Sequence, residues 1–267
     1  LITSAGRLVL AQVADLPVVP ATNTLSLSSG VKADELIGQT ESTDPIRGEH
    51  VVTAIAMEPV SKKHSDDATD SDTTEPQALP PLAIGTRAGV VKRWNREAPT
   101  TMDSWSVIDL KDGDEIVFAA IARDEDRLVF ISTDSSLLTF EAKNVRPQGR
   151  TAGGMAGIKL AEGCKVAAFN VVAADKVAWT YEEGDNGLTS ASGAVVLTVA
   201  GDSDALPGTE NGAAKVTPFE MYPTKGRATG GVRSQRFLKG GDNPVFGLGG
   251  WENVVVGERV DLGGGRI

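Results

Sequence analysis

The feature that most constrains the fold is a short hairpin pattern that recurs along the chain. Residues 1–10, 83–92 and 129–138 align as an apolar run, a small polar turn and a second apolar run, and residues 193–199 with 213–216 form a weaker fourth copy. Each copy predicts two antiparallel strands. A repeated β unit that cannot bury both of its faces alone predicts a set of packed β blades, as in a propeller or a related ring.

The other apolar runs are also short and lie between turn-forming residues, which favours strands over helices. They occupy residues 51–56, 116–122, 166–172 and 245–248. No window of 12 or more residues keeps a clean helical period. The sequence therefore predicts an all-β fold with almost no helix, in which about four to five four-stranded blades are visible.

A second repeated pattern follows the hairpins and carries the sequence Gly-Arg-x-x-Gly-Gly. It occurs at residues 149–154 and 226–231, and degenerate copies without the arginine lie at 26–37 and 103–113. One copy could be a tight turn with a solvated arginine, but two copies in the same strand context favour a functional role. Glycines let backbone N–H groups approach phosphate oxygens, and Arg150 and Arg227 can each donate two hydrogen bonds to a phosphate.

These patterns resemble the C-terminal domain of bacterial type IIA topoisomerase A subunits, the family of DNA gyrase and topoisomerase IV. The resemblance is strong from about Leu82 to Leu248 and weaker before that. It implies a β-pinwheel, a ring of four-stranded blades that binds and bends duplex DNA around its rim without an active site of its own. The gyrase box Gln-Arg-Arg-Gly-Gly-Lys-Gly does not occur here, which favours a topoisomerase IV-like subunit or a fragment that lacks its first blade.

The net charge of −10 is unexpected for a protein that binds DNA, so the placement of the charges matters. Acidic residues concentrate in insertions such as 62–76, whereas basic residues cluster near the repeated loops. Salt screening over about 8–10 Å separates such patches, so a local basic surface can still attract a polyanion. The predicted DNA-binding residues are Lys92, Arg93, Arg96, Arg146, Arg150, Lys159, Lys225, Arg227, Arg233, Arg236 and Lys239. For Lys92, Arg93 and Arg96, a charged strand edge is an equally good interpretation.

The resemblance also sets expectations about the larger assembly. It implies double-stranded DNA, the B subunit and the rest of the A subunit as partners, with a cytoplasmic, nucleoid-associated location. The ATP-dependent isomerase reaction would belong to the holoenzyme, with ATP and magnesium used elsewhere, and we expect neither a catalytic residue nor a cofactor in this domain. The alternative is a propeller-type protein-interaction module, whose mainly apolar contacts would depend little on salt.

Composition excludes other classes of protein. The single cysteine, Cys164, cannot form an internal disulfide, and His50 and His64 are too few for an ordinary Cys/His zinc site. No apolar stretch approaches the length of a membrane helix, and no signal peptide is recognisable at residue 1. The predicted domain spans 1–256, with a disordered acidic insertion near 61–80 and a flexible tail at 257–267.

Overall fold

The computed structural model describes residues 1–18, 30–38, 48–57, 79–99, 101–183, 189–200, 213–235 and 254–262. Within these residues, helix is limited to the four-residue segments α1 (Ala33–Leu36) and α2 (Ala174–Val177) and a few 3-10 turns. The strands in chain order are β1 (Ile2–Thr3), β2 (Arg7–Val9), β3 (Val51–Thr53), β4 (Leu82–Thr86), β5 (Val90–Trp94), β6 (Ser104–Ser106), β7 (Ile116–Ile121), β8 (Arg127–Ser132), β9 (Ser136–Glu141), β10 (Pro147–Gln148), β11 (Met155–Ala156), β12 (Val166–Val172), β13 (Thr180–Glu183), β14 (Thr189–Ala200), β15 (Ala213–Pro218), β16 (Val232–Arg233) and β17 (Val254–Leu262). The predicted all-β fold is confirmed.

These strands pair into four sheets, which we call blades 1 to 4. Blade 1 has the order β3-β1-β2-β6, blade 2 β7-β4-β5-β10 with β11 also on β5, and blade 3 β12-β8-β9-β16. Blade 4 contains β13, β14, β15 and β17. The hairpins predicted from the repeats form the centres of the blades, as β1–β2, β4–β5, β8–β9 and β14–β15.

The outer strand of each of the first three blades comes from the chain that follows the next hairpin. β6 follows β5 along the chain but pairs with β2, and β10 and β11 follow β9 but pair with β5. β16 follows β15 but pairs with β9. We call these exchanged segments latch 1 (residues 104–109), latch 2 (146–159) and latch 3 (224–233). Because each latch closes the preceding blade, successive blades are tied together by main-chain hydrogen bonds.

The hairpin turns repeat in detail, which explains why the pattern is visible in the sequence. The hydroxyls of Thr3, Thr86 and Ser132 each accept a hydrogen bond from the backbone N–H four residues later, at 3.2, 3.2 and 3.1 Å. The residue before the second strand has a positive φ in all three turns, with Gly6 at 79°, Gly89 at 84° and Ser135 at 67°. A short hydroxyl side chain and a left-handed residue therefore set the same turn three times.

The hydrophobic core lies between the blades rather than within one sheet. Successive side chains of a strand point to opposite faces, so each hairpin packs against both neighbouring blades. In β4, Leu82 and Ile84 belong to the cluster shared with blade 1, whereas Ala83 belongs to the cluster shared with blade 3. In β8, Phe130 faces blade 2 and Ile131 faces blade 4. This two-sided burial accounts for the nearly continuous apolar runs of the hairpins.

At the end of the described chain, the structure differs from the prediction. Residues 257–262, predicted to lie in a flexible tail, belong to β17, which pairs with β14 in a continuous register from Ser190↔Leu262 to Thr198↔Val254. The ladder satisfies the backbone hydrogen bonds of a segment that carries few apolar residues. Residues 61–78 of the predicted acidic insertion and the predicted strand at 245–248 lie outside the described residues.

Candidate nucleic-acid interface

The two Gly-Arg-x-x-Gly-Gly segments occupy equivalent places in successive blades. Residues 149–154 lead into β11, which pairs as Met155↔Val91 on blade 2. Residues 226–231 lead into β16, which pairs as Val232↔Leu137 on blade 3. Val91 and Leu137 lie two residues after the positive-φ residue of their hairpins. The two segments are therefore the same structural loop, and we call them latch loop 2 (149–154) and latch loop 3 (226–231).

The last glycine of each loop fits directly against the backbone of the strand that the latch closes. A Cβ atom at Gly154 would lie 2.7 Å from the carbonyl oxygen of Val91. At Gly231 a Cβ atom would lie 2.4 Å from the carbonyl oxygen of Leu137. Carbon and oxygen atoms do not approach so closely without a clash, so the repeated double glycine allows the latch to seat on its blade.

We expect Gly231→Ala to destabilise the fold by about 2 kcal/mol, because either latch 3 or β9 must move to accommodate the methyl group. Thermal unfolding followed by circular dichroism measures the effect. Gly226→Ala, in the same loop, is the matched control, since the nearest atom to its Cβ would be 3.9 Å away. An equal loss of stability in both variants would contradict the steric explanation.

Hydrogen bonds connect each latch loop to the latch before it. The carbonyl oxygen of Ala152 accepts from the N–H of Asp109 in latch 1 at 3.3 Å, and that of Thr229 accepts from the N–H of Lys159 in latch 2 at 3.0 Å. Ala228 also donates its N–H to the carbonyl oxygen of Gly157 at 2.7 Å. The loops of blades 2 and 3 therefore belong to one continuous strip formed by three successive latches.

This strip carries six of the predicted DNA-binding residues. The side chains of Arg146, Lys159, Lys225 and Arg233 are exposed, and those of Arg150 and Arg227 are half-buried. The guanidinium of Arg227 donates a hydrogen bond to the carbonyl oxygen of Ala156, which fixes its position against latch 2. Cationic side chains along glycine-rich backbone form a surface that can bind a row of phosphates.

The structure places Lys92 and Arg93 inside the protein, which is at odds with their predicted contact with DNA. Their exposed fractions are 0% and 1%. β5 is an inner strand, with β4 on one side and β10 and β11 on the other, and its two faces contribute to the clusters shared with blades 1 and 3. The guanidinium of Arg93 donates to the carbonyl oxygens of Ala122, Ala142 and Val145 at 3.2 Å and to the carboxylate of Asp124 at 2.6 Å. Arg93 therefore ties blade 2 to blade 3, and we leave both residues out of the interface.

Arg96 is also largely buried, with 8% of its surface exposed, and its backbone has a positive φ of 63°. Its guanidinium donates to the carbonyl oxygen of Ala56 at 2.7 Å, which connects it to blade 1. This residue is therefore engaged in an internal contact as well. Arg236 and Lys239 lie outside the described residues.

Sequence reasoning missed what Lys92 does. Its ammonium group donates hydrogen bonds to the carbonyl oxygens of Val107, Arg150 and Ala152 at 2.8, 2.9 and 2.7 Å. Burial lowers the pKa of Lys92 to about 8, and the nearby Asp109 carboxylate opposes that shift. When the hairpins are aligned on their turn hydroxyls, Thr3, Thr86 and Ser132, Val9 and Leu138 occupy the position of Lys92. An apolar residue in two of three copies indicates a buried position in the third.

Neither a metal site nor a membrane span is found in the part of the chain that the structure describes. No group of three or more His, Cys, Asp or Glu side chains there could hold a metal ion. The helices in those residues are too short to cross a bilayer.

The comparison with protein families identifies the repeated units. The family model described as "DNA gyrase C-terminal domain, beta-propeller" matches three successive stretches, residues 106–123, 126–173 and 208–243. The second of these stretches contains latch loop 2 and the third contains latch loop 3. These stretches of the chain are similar to that family. Both latch loops therefore lie within stretches that are similar to this family.

Individual proteins with similar sequences are DNA gyrase A proteins. The DNA gyrase A protein of Mycolicibacterium smegmatis is 28% identical over 196 residues, which cover 72% of this chain and 20% of that protein. The DNA gyrase A protein of Escherichia coli is 31% identical over 127 residues, which cover 48% of this chain and 11% of that protein. The chain therefore spans a fifth or less of the length of these relatives.

A solved structure supports the fold. The crystal structure of the C-terminal domain of DNA topoisomerase IV superposes with a TM-score of 0.63 at 18% sequence identity. The match covers 96% of this chain and 62% of that structure. The β-pinwheel expected from the sequence is thereby confirmed at the level of the fold.

Proposed function

We propose that this chain is a DNA-binding and DNA-bending domain of the A subunit of a type IIA topoisomerase, of the gyrase or topoisomerase IV type. The observation that carries the proposal is the strip formed by successive latches. It presents two structurally equivalent loops with Arg150 and Arg227 at corresponding positions, and four exposed cations flank them. A repeated cationic loop on consecutive blades suits a repeated ligand, and the DNA backbone is a regular row of phosphates.

The proposed binding needs no reading of the base sequence. Guanidinium groups donate paired hydrogen bonds to phosphate oxygens, and the lysines contribute point charges. A duplex that contacts several blades must bend to follow them, and the cost of bending is offset by the additional phosphate contacts. The domain would hold a DNA segment for passage through a break that another part of the enzyme makes.

The larger assembly follows from the same proposal. The relatives are gyrase A proteins, of which the chain matches only a part. DNA cleavage, ATP and magnesium would belong to other parts of an ATP-dependent isomerase, and this domain would act without a catalytic residue or cofactor of its own. Its partners would be double-stranded DNA, the B subunit and the rest of the A subunit. The assembly would work in the cytoplasm on the nucleoid.

Charge reversal of the two loop arginines tests the proposal. We expect Arg150→Glu/Arg227→Glu to raise the Kd for a duplex of about 40 base pairs by about 100-fold at low salt, because two charge-assisted contacts are replaced by repulsion. Fluorescence anisotropy measures the affinity, and energy transfer between labels at the two duplex ends measures bending, which should be lost in parallel.

The control for charge reversal is Arg123→Glu/Lys165→Glu, which changes the net charge equally at two exposed cations outside the latch loops. We expect its Kd to change by less than about threefold, since screening limits the reach of distant charges. If both double substitutions weakened DNA binding equally, the effect would come from the net charge and not from the latch loops. No binding by the unsubstituted chain would contradict the proposal and favour a protein partner.

A further inference from the structure

Lys92 lies beneath latch loop 2 and reaches that loop with its charged end. The side chain is 0% exposed, and the ammonium group donates to three backbone carbonyl oxygens. Two of the acceptors, Arg150 and Ala152, flank Thr151 within the loop, and the third, Val107, belongs to latch 1. One side chain from β5 thus joins the loop of its own blade to the latch of the preceding blade.

A buried ammonium group at this position carries an unfavourable desolvation free energy. Desolvation disfavours the charged form, and the corresponding positions in hairpins 1 and 3 are occupied by the apolar Val9 and Leu138. A lysine at a site that accepts an aliphatic side chain elsewhere in the same protein serves a purpose other than packing. Its three hydrogen bonds indicate that this purpose is to hold the loop.

We propose that Lys92 is a positioning residue for DNA binding: its ammonium group fixes the backbone of latch loop 2 so that Arg150 is presented to a phosphate. The DNA part of this inference rests on the function proposed above. The ammonium holds the carbonyl group of Arg150 itself, so the backbone from which the guanidinium projects is fixed at its base. Ordering the loop before binding reduces the conformational entropy lost when the phosphate is contacted.

Latch loop 3 is held in a different way and provides an internal reference. Lys225 donates its N–H to the carbonyl oxygen of Thr139 at 2.9 Å, and the hydroxyl of Thr229 donates to the carbonyl oxygen of Gly226 at 2.7 Å. The residue beneath this loop that corresponds to Lys92 is Leu138, which has no donor. Removal of the Lys92 ammonium should therefore loosen one loop and leave the other unchanged.

The first test uses no DNA. Trypsin cleaves after arginine, and cleavage within a folded protein follows local opening of the chain. We expect Lys92→Met to increase the initial rate of cleavage after Arg150 by at least about tenfold relative to cleavage after Arg227, with fragments identified by mass spectrometry. An unchanged ratio in the folded variant would overturn the inference, whatever the chain binds.

The second test is a double-mutant cycle for binding of a duplex of about 40 base pairs at low salt. If Lys92 acts through Arg150, Lys92→Met should raise the Kd about threefold to tenfold, and this effect should disappear in the Arg150→Ala background. The same substitution should keep its full effect in the Arg227→Ala background. If Lys92→Met still raised the Kd in the Arg150→Ala background, Lys92 would not act by positioning Arg150. A chain that binds no DNA at all contradicts the proposed function, and the trypsin test still decides the role of Lys92 in the loop.

Should Lys92→Met fail to fold, the unsubstituted chain decides the question. The pKa of Lys92 is about 8, with Asp109 as the nearby charged group, so raising the pH from about 7 to 9.5 neutralises most of the ammonium. The ratio of cleavage after Arg150 to cleavage after Arg227 should rise with a midpoint near this pKa. The activity of trypsin itself cancels in the ratio. A flat ratio would contradict the proposed role of the charge.

Discussion

The affinity of this chain for duplex DNA is expected to fall about 1000-fold when monovalent salt is raised from about 50 to about 200 mM. The physical reason is release of counterions from the phosphates that the latches would neutralise in the proposed complex. Six cations of the strip are exposed or half-buried, namely Arg146, Arg150, Lys159, Lys225, Arg227 and Arg233. At a slope of about −0.9 per contact, six contacts give a slope of about −5 in a plot of log K against log salt. Anisotropy titrations at four or five salt concentrations measure this slope.

Substitution of two strip residues tests whether the cations of the strip produce the slope of log K against log salt. Arg146→Gln/Lys225→Gln removes two exposed cations that sit beside the loops, and we expect the slope to become shallower by about 2. Arg123→Gln/Lys165→Gln removes the same charge elsewhere and should leave the slope within about 0.5 of its original value. Binding that is nearly independent of salt would contradict phosphate contacts and would instead fit the apolar interface of a protein-interaction module.

The hairpins were the part of this fold most open to prediction from sequence. Their turns rely on local chemistry, with a hydroxyl residue at Thr86 and a left-handed glycine at Gly89, and their strands show as short apolar runs. Because the strands are buried on both faces, their apolar residues are contiguous, which separates them from amphipathic helices. Local signals of this kind are repeated in each copy and reinforce one another.

The exchange of latches between blades could not be derived from the residues. β10, β11 and β16 are only two residues long, and their partners lie more than fifty residues away in sequence. Such short strands have no periodicity to detect, and their pairing is decided by the packing of whole blades. The same holds for Gly231. A double glycine suggests that another segment packs closely against it, but the sequence does not indicate which strand that is.

The predicted cations near the repeated loops lie on the surface strip, and their contact with DNA stays a prediction, whereas Lys92 and Arg93 lie buried in an inner strand. Charge alone suggested exposure for Lys92 and Arg93, since these residue types are rarely buried without partners. Their partners are mainly backbone carbonyl oxygens from segments distant in sequence, and no sequence pattern marks a carbonyl group as an acceptor. Leu138 occupies the position of Lys92 in the next hairpin. This apolar residue is a better indication that Lys92 is buried than the charge of lysine is that it is exposed.

Loss of the buried guanidinium of Arg93 should have the largest effect on stability. Arg93→Met keeps most of the side-chain volume but removes the donors for the carbonyl oxygens of Ala122, Ala142 and Val145. Each buried acceptor left without a donor costs about 1–3 kcal/mol, so we expect a loss of about 3–5 kcal/mol. Urea unfolding followed by tryptophan fluorescence measures it, since Trp94 lies next to Arg93 and is 0% exposed.

Arg127→Met is the matched control for Arg93→Met. Arg127 pairs with Glu141 at 2.8 Å, but both side chains are partly exposed, at 21% and 30%. A solvent-screened pair of this kind contributes about 0–1 kcal/mol, so the two substitutions should differ by at least about 2 kcal/mol. The comparison distinguishes a buried arginine that donates to backbone carbonyl groups from an arginine in a partly exposed ion pair. If Arg127→Met proved as costly as Arg93→Met, the carbonyl contacts of Arg93 would not be what joins blades 2 and 3, and the packing of Phe130 and its neighbours would have to carry that junction.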